Sequence, residues 1–315
     1  MADLKLGINL WSQCASWDEM LETAQRCDAL GYEHVWTWDH LYAIVGDPYQ
    51  PIFEGWSVLA AWAMATERIR IGLMVGANTF RNPGLVAKTV TTLDHISRGR
   101  AILGLGGAWF DLEHKAHGIE FGASAGRRLD WLDESVAAIR TLLDGGTVTS
   151  PPDGHYAFQE LRHAPPPVQE PLPIMIGGSG RKKTLRTVAR YADMWNGFAD
   201  TPEEAREVVD VFEAHCADVG RDPLSVVRTS NLWMVIRDSE AEARRVWERQ
   251  MRHNRESEEI EPDRPIVGSP EQVAERVRAY VDAGFEGAIV ELPAPYDVET
   301  IDRLIGEVKP LVDRG

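Results

Sequence analysis

Short apolar runs alternate with longer segments of helical spacing along the whole chain, and that alternation limits the fold more than any other feature. The strand-like runs fall at residues 4–10, 35–38, 69–75, 101–105, 172–176, 193–197, 226–236 and 287–292. Strands separated by helices in this order make a parallel sheet, because each crossover helix returns the chain to the same end. No glycine-rich dinucleotide loop follows the first run, which argues against an open doubly wound sheet. The pattern predicts an α/β fold of the (β/α)8 TIM-barrel type, with residues 1–315 as one domain.

The helix starts support this reading. Ser16-Trp17-Asp18-Glu19 is a capping box, with Met20, Leu21, Ala24 and Cys27 at helical spacing and Gly31 as the stop. Thr201-Pro202 and Ser269-Pro270 share one logic: a hydroxyl caps, and proline sits in the first turn where its missing N–H costs nothing. Further helices are expected over about 54–66, from Pro83 to before Gly99, through Leu129–Leu143, to about Tyr191, from Asp238 or Ser239, and to Val312. Two segments interrupt the alternation. Residues 147–171 hold six prolines and a strand candidate at Tyr156-Ala157-Phe158, and residues 250–265 are highly charged. Both read as insertions over the barrel mouth, since neither could bury a core of its own.

Composition excludes several function classes. A formal charge of −16 and pI near 5.0 argue against nucleic acid or an anionic membrane as partner. Cys14, Cys27 and Cys216 show no C-x-x-C spacing, so a reducing cytosol is expected and a zinc knuckle is not. No apolar stretch is long enough for a membrane span, and the N-terminus lacks the pattern of a signal peptide.

In a barrel of this kind, ligands bind at the carboxyl ends of the strands. The second strand runs through Trp36 and Trp38 and stops on Asp39-His40 at that end. A capping Asp and a structural His is the plain alternative. Gly177-Gly178-Ser179-Gly180 leads into a helix beside Arg181 and Lys182, a turn whose backbone N–H groups could hold a phosphate. Small residues at Gly106, Gly107 and Ala108 would let a planar ligand approach the backbone, with Trp109 next in line. Glu113 and His117 share a helical face, which suggests a loop-fixing pair more than a metal site. Trp11, Trp38, Trp109 and Trp195 fall at strand ends and suggest a mouth lined with rings.

With those residues in view, the sequence resembles the luciferase-like monooxygenase superfamily, and within it the oxidoreductases that use the deazaflavin coenzyme F420. The likeness rests on Thr37-Trp38-Asp39-His40, residues 66–72, Asn78-Thr79-Phe80-Arg81-Asn82-Pro83, residues 92–97, residues 104–114 and residues 176–195. It implies a barrel with the redox ring at the strand carboxyl ends and Asp39, His40 and Trp109 at the reaction centre. It implies a non-prolyl cis peptide at Met74-Val75 behind the ring. Gly106, Gly107 and Ala108 would lie along the ring edge, and Gly177, Gly178, Ser179, Gly180 and Arg181 would hold the cofactor phosphate. The sugar-phosphate dehydrogenases of that branch carry a glutamate where this chain has Trp109, so a sugar phosphate is a poor candidate substrate. The resemblance implies hydride transfer between F420 and a small organic molecule, and a homodimer. FMN-dependent monooxygenase chemistry is the nearest alternative. A metal-dependent hydrolase or isomerase built on His40, Glu113 and His114, and a catalytically silent cofactor-binding protein, are the others.

Overall fold

The computed structural model describes residues 3–254 and 265–314. Twelve strands occur among them: β1 (Lys5–Leu10), β2 (His34–Thr37), β3 (Arg70–Leu73), β4 (Gly76–Ala77), β5 (Ala101–Gly106), β6 (Thr147–Val148), β7 (Leu161–Arg162), β8 (Ile174–Gly177), β9 (Met194–Gly197), β10 (Val227–Ile236), β11 (Ile266–Gly268) and β12 (Gly287–Leu292). The helices are α1 (Trp17–Leu30), α2 (Gly55–Ala65), α3 (Pro83–Ser97), α4 (Asp111–His117), α5 (Ala125–Leu143), α6 (Thr184–Tyr191), α7 (Pro202–Val219), α8 (Glu240–His253), α9 (Pro270–Asp282), α10 (Val298–Arg303) and α11 (Lys309–Asp313). None of these helices is long and apolar enough to cross a membrane.

The strands β12, β1, β2, β3, β5, β8, β9 and β10 pair in that order, and β10 pairs with both β9 and β12. The result is a closed eight-stranded parallel barrel surrounded by helices, the (β/α)8 architecture. Each expected strand run is present, displaced by only a residue or two, except that 69–75 ends at Leu73. There the Met74–Val75 peptide is cis, and the chain resumes as β4 beside β5. Closure removes every free edge from the ring, so each strand's backbone donors and acceptors are satisfied by neighbours. Trp36, Met74, Ile102, Met175, Met194 and Ile289 fill the inside of the barrel. A larger apolar layer, with Leu6, Ile8, Trp62, Phe212 and Val290 among its buried members, joins the outer strand faces to the helices.

The caps form as the sequence dictates. Ser16 and Ser269 make complete capping boxes, Thr201 accepts from the Glu204 N–H, and Ser239 caps α8. Arg98 takes the left-handed position that ends α3, with φ of 58°.

The two interruptions differ from expectation. In residues 147–171 the strands are β6 and β7, an antiparallel pair, and Tyr156–Phe158 is not a strand. The reason is local: the His155 and Tyr156 N–H groups donate to the Glu134 carboxylate, and the Phe158 N–H donates to Ser150 Oγ. Side-chain acceptors have replaced the ladder. The later part of the segment does not cover the mouth. It lies along α3 and the start of β5, where Asp94 accepts from the Val168 and Gln169 N–H groups and His163 meets Thr91 at 2.8 Å. Residues 250–253 are the last turn of α8, and Gln250 and Asn254 are buried there. The rest of the charged segment, 255–264, lies outside the described residues.

Candidate active site

A cavity of about 600 Å³ opens at the carboxyl ends of the strands, a size that suits an organic cofactor or substrate. Its wall draws on β5, β8, β9, β10 and β12 themselves and on the segments that follow β1, β2, β3, β5, β8, β9 and β10, so the barrel gathers residues that are far apart in sequence.

Asp39 and His40 both line it, as predicted from their place after β2. Asp39 is buried; its Oδ2 accepts from the Ala77 N–H at 3.0 Å and from Arg81 Nη1 at 2.6 Å, while Oδ1 has no partner. Burial pushes this carboxyl above its ordinary range, and the Arg81 guanidinium pulls it back only in part. His40 is held from the other side. Its Nδ1 lies 3.0 Å from Glu113 Oε1, and Glu113 Oε2 accepts from the Leu41 N–H at 2.8 Å. With Glu113 ionised, Nδ1 donates in this pair and Nε2 is left for other partners.

The sequence reading paired Glu113 with His117 on one helix face. The structure corrects this: His117 Nδ1 meets the Glu113 backbone carbonyl at 2.9 Å, and the Glu113 side chain turns inward to the loop after β2. A carboxylate therefore stands beside His40 even though Trp109 occupies the position where the related sugar-phosphate dehydrogenases carry a glutamate. Trp109 is 61% exposed at the rim, stacked on Phe110, with its ring centroid 5.6 Å from that of His40. Of the three residues named for the metal alternative, His114 is already committed. His114 is engaged at both nitrogens, with Thr79 Oγ1 at 2.6 Å and the Phe110 carbonyl at 2.7 Å. Among the described residues no three His, Cys, Asp or Glu side chains are placed to hold a metal ion.

The opposite wall is built around Val75. Its side chain lies between two glycines: a Cβ on Gly106 would sit 2.5 Å from Val75 Cγ2, and one on Gly177 would sit 2.6 Å from Val75 Cγ1. Only glycine at both places lets the Met74–Val75 segment project into the mouth. Gly107 and Ala108 continue this wall; Ala108 takes a left-handed φ of 57°, and its carbonyl accepts from Arg128 Nε at 3.2 Å. Asp39, with its unpartnered Oδ1, and the glycine-flanked Val75 line the same cavity.

The loop after β8 is only partly where the sequence put it. Gly177, Gly178 and Thr184 line the cavity, but Ser179, Gly180 and Arg181 do not. Ser179 Oγ donates to the Phe198 carbonyl and accepts the Phe198 N–H, fastening this loop to the next. Arg181 turns outward to an ion pair with Glu207 at 2.7 Å, and Lys183 pairs with Asp130 at 2.6 Å. Arg181, one of the two cations singled out in the sequence, is thus matched by an acid on α7 that sequence distance concealed.

Of the four tryptophans expected at the mouth, Trp11, Trp38 and Trp109 line it. Trp195 does not; it is fully buried behind the strands against Phe212 and Phe285, its Nε1 donating to the Gly178 carbonyl at 2.9 Å. Sequence reasoning missed Trp233, Trp247, Met251, Asn231 and Glu291, which also line the cavity. Asn231 and Trp233 were visible as alternate positions along β10, the side of a barrel strand that faces the interior. Trp247 and Met251 come from α8, and only the packing of that helix over the mouth could place them.

Known proteins share this fold. Residues 5–287 match the luciferase-like monooxygenase family. A curated relative, the F420-dependent hydroxymycolic acid dehydrogenase of Mycobacterium tuberculosis, is 30% identical over 229 residues, which is 72% of this chain and 61% of that protein. The chain spans between 47% and 61% of the length of the curated relatives it matches. Among solved structures, an F420-dependent secondary alcohol dehydrogenase superposes with a TM-score of 0.86 at 20% identity, covering 99% of both chains. The oxygenating constituent of 3,6-diketocamphane monooxygenase from Pseudomonas putida, in complex with FMN, superposes with a TM-score of 0.75 at 18% identity, covering 98% of this chain and 99% of that one. By the extent of the family match and the barrel it adopts, the chain belongs to the luciferase-like monooxygenase family.

Proposed function

We propose that this protein is an F420-dependent oxidoreductase that moves a hydride between the deazaflavin and a small organic substrate. The observation that carries the reading is the convergence, in one cavity, of the Val75 projection flanked by glycines and the His40–Glu113 pair. The F420-dependent dehydrogenase among the curated relatives supports the choice of deazaflavin.

When bound, the deazaflavin would supply a two-electron hydride donor or acceptor that resists oxygen. The residues of the chain do the rest. Val75, Gly106, Gly107, Ala108, Gly177 and Gly178 would carry the ring and the start of its tail, and Asp39 would meet its polar edge. His40 would exchange the accompanying proton with substrate at Nε2, and Glu113 keeps the imidazole in that orientation by holding Nδ1. Trp11, Trp38, Trp233 and Trp247 would exclude water from the reacting atoms. A homodimer, as the family resemblance implies, is part of this proposal.

The test is an anaerobic titration of the purified protein with F420 and with FMN, followed by ligand fluorescence. Saturable binding of F420, tighter than FMN, is expected. Binding of FMN alone would move the protein to the monooxygenase chemistry, and binding of neither would end the cofactor reading.

A further inference from the structure

One side of the cavity forms a compartment walled by aromatic side chains, to which the proposed mechanism gives only the exclusion of water. Trp11, Trp38, Ile44, Trp233, Trp247 and Met251 belong to an apolar cluster separate from both barrel cores, and all six line the cavity. The indoles pack on one another: Trp11 lies 4.6 Å from Trp38 and 6.4 Å from Trp233, and Trp233 stacks on Trp247 at 5.9 Å, centroid to centroid. Trp11 is anchored further by its Nε1, which donates to Glu291 Oε2 at 2.6 Å.

An amide lattice fixes the frame around these rings. Gln13 Nε2 donates to Asn254 Oδ1 at 2.9 Å, and Gln50 Nε2 donates to the Asn254 carbonyl at 3.1 Å. Asn254 Nδ2 reaches the Ala294 carbonyl at 2.7 Å, and Gln250 Nε2 reaches the Pro293 carbonyl at 3.1 Å. The loops after β1, β2 and β12 are thereby tied to the end of α8. Buried and hydrogen-bonded amides of this kind hold a set shape, because breaking any one of them strands a polar group.

Resting on the oxidoreductase reading for the neighbouring half of the cavity, we infer that this compartment is the substrate subsite and that it selects a flat, uncharged ring compound bearing a carbonyl or hydroxyl. Aromatic walls favour planar partners by stacking and edge contacts, which a flexible chain of equal size does not gain. The six cluster side chains carry no charge, and among the described residues the cavity lining holds no Arg or Lys, so a carboxylate or phosphate on the substrate would be desolvated there without a cationic partner. Trp247 and Met251, both supplied by α8, set the depth of the subsite and are the residues that determine its specificity.

Calorimetric titration of the full chain with three probes tests this: acetophenone, 2-octanone and benzoate. Acetophenone has the ring and the carbonyl, 2-octanone the carbonyl on a flexible chain, and benzoate the ring with a charge. Acetophenone is expected to bind at least about ten-fold more tightly than either of the others. Equal or tighter binding of 2-octanone or benzoate would overturn the proposal. The preference should be reduced by Trp247→Phe and by Met251→Ala, each checked for an unchanged far-UV spectrum; an unaltered preference in both would remove α8 from the specificity. Repeating the acetophenone titration at saturating F420, or FMN if that is the ring that binds, separates the two readings. Simultaneous binding is expected, and competition would show that the compartment is not distinct from the ring site. Failure of F420 to bind would leave the comparison of the three probes intact.

Discussion

Two histidines at opposite ends of the same strand have opposite fates. His34 opens β2 at the foot of the barrel, is 2% exposed, and accepts the Trp36 indole N–H on Nδ1 at 2.7 Å, while its Nε2 is buried without a partner. Burial there drives its pKa down to about 3, so the ring stays neutral. His40, just past the other end, lines the cavity and is held by Glu113. The difference comes from the barrel, not from the residue: the foot is closed by packing, whereas the mouth is built from loops that leave room for a ligand. A histidine at the foot therefore bears on stability, and one at the mouth is placed to meet a ligand.

Substitutions can break or sharpen that contrast. The largest effect is expected from His40→Ala, which should lower turnover by at least about 100-fold, the usual contribution of a positioned acid or base, with cofactor affinity changed only a few-fold. Equal turnover would remove His40 from the mechanism. Next comes the pH dependence of unfolding. The folded-state pKa of His34 lies below its unfolded value near 6.5, so the unfolded chain takes up the proton first as pH falls, and stability is full above 6.5 and declines below it. Comparing the denaturant unfolding of wild type and His34→Asn between pH 7 and pH 5 should show that this group accounts for roughly 2 kcal/mol of lost stability. A pH dependence identical in the two proteins would contradict the buried neutral ring.

Glu113→Gln is expected to have a smaller effect, about ten-fold on turnover, because the amide still reaches the Leu41 N–H through its oxygen but no longer holds Nδ1 as an acceptor on both sides. Its pH–rate profile should shift while the unfolding curve stays close to wild type; a change in stability alone would reduce Glu113 to a loop fastener. The smallest effect is predicted for Arg181→Ala. With its guanidinium turned to Glu207, the variant should bind cofactor within about two-fold of wild type. A much larger loss would restore Arg181 to the phosphate site that the sequence suggested.

The fold was legible because periodicity is a local property. Strands β1, β5, β10 and β12 and the caps at Ser16, Thr201 and Ser269 need only their own neighbours to be recognised. Asp39 and His40 were legible for a related reason: the barrel rule converts a position along the chain into a position in space. What stayed hidden depended on which side chain faces which. Glu113 reaches across to the loop after β2, Arg181 finds Glu207 on α7, and Trp195 turns behind the sheet to Phe212. Residues 147–171 misled for the same reason, since their backbone is satisfied by Glu134 and Asp94, acids on α5 and α3 far away in sequence. Such pairings are tertiary, and composition carries no trace of them.

The central claim is that a tricyclic redox ring rests against Val75 with His40 facing the substrate side. A crystal structure of the protein grown with F420 tests it most directly. Ring density lying on Val75 between Gly106 and Gly177, in contact with Asp39 and with the tryptophan compartment open beside it, is the predicted result. A ring bound outside the strand ends, or turned so that Val75 and Asp39 touch only solvent, would contradict the account.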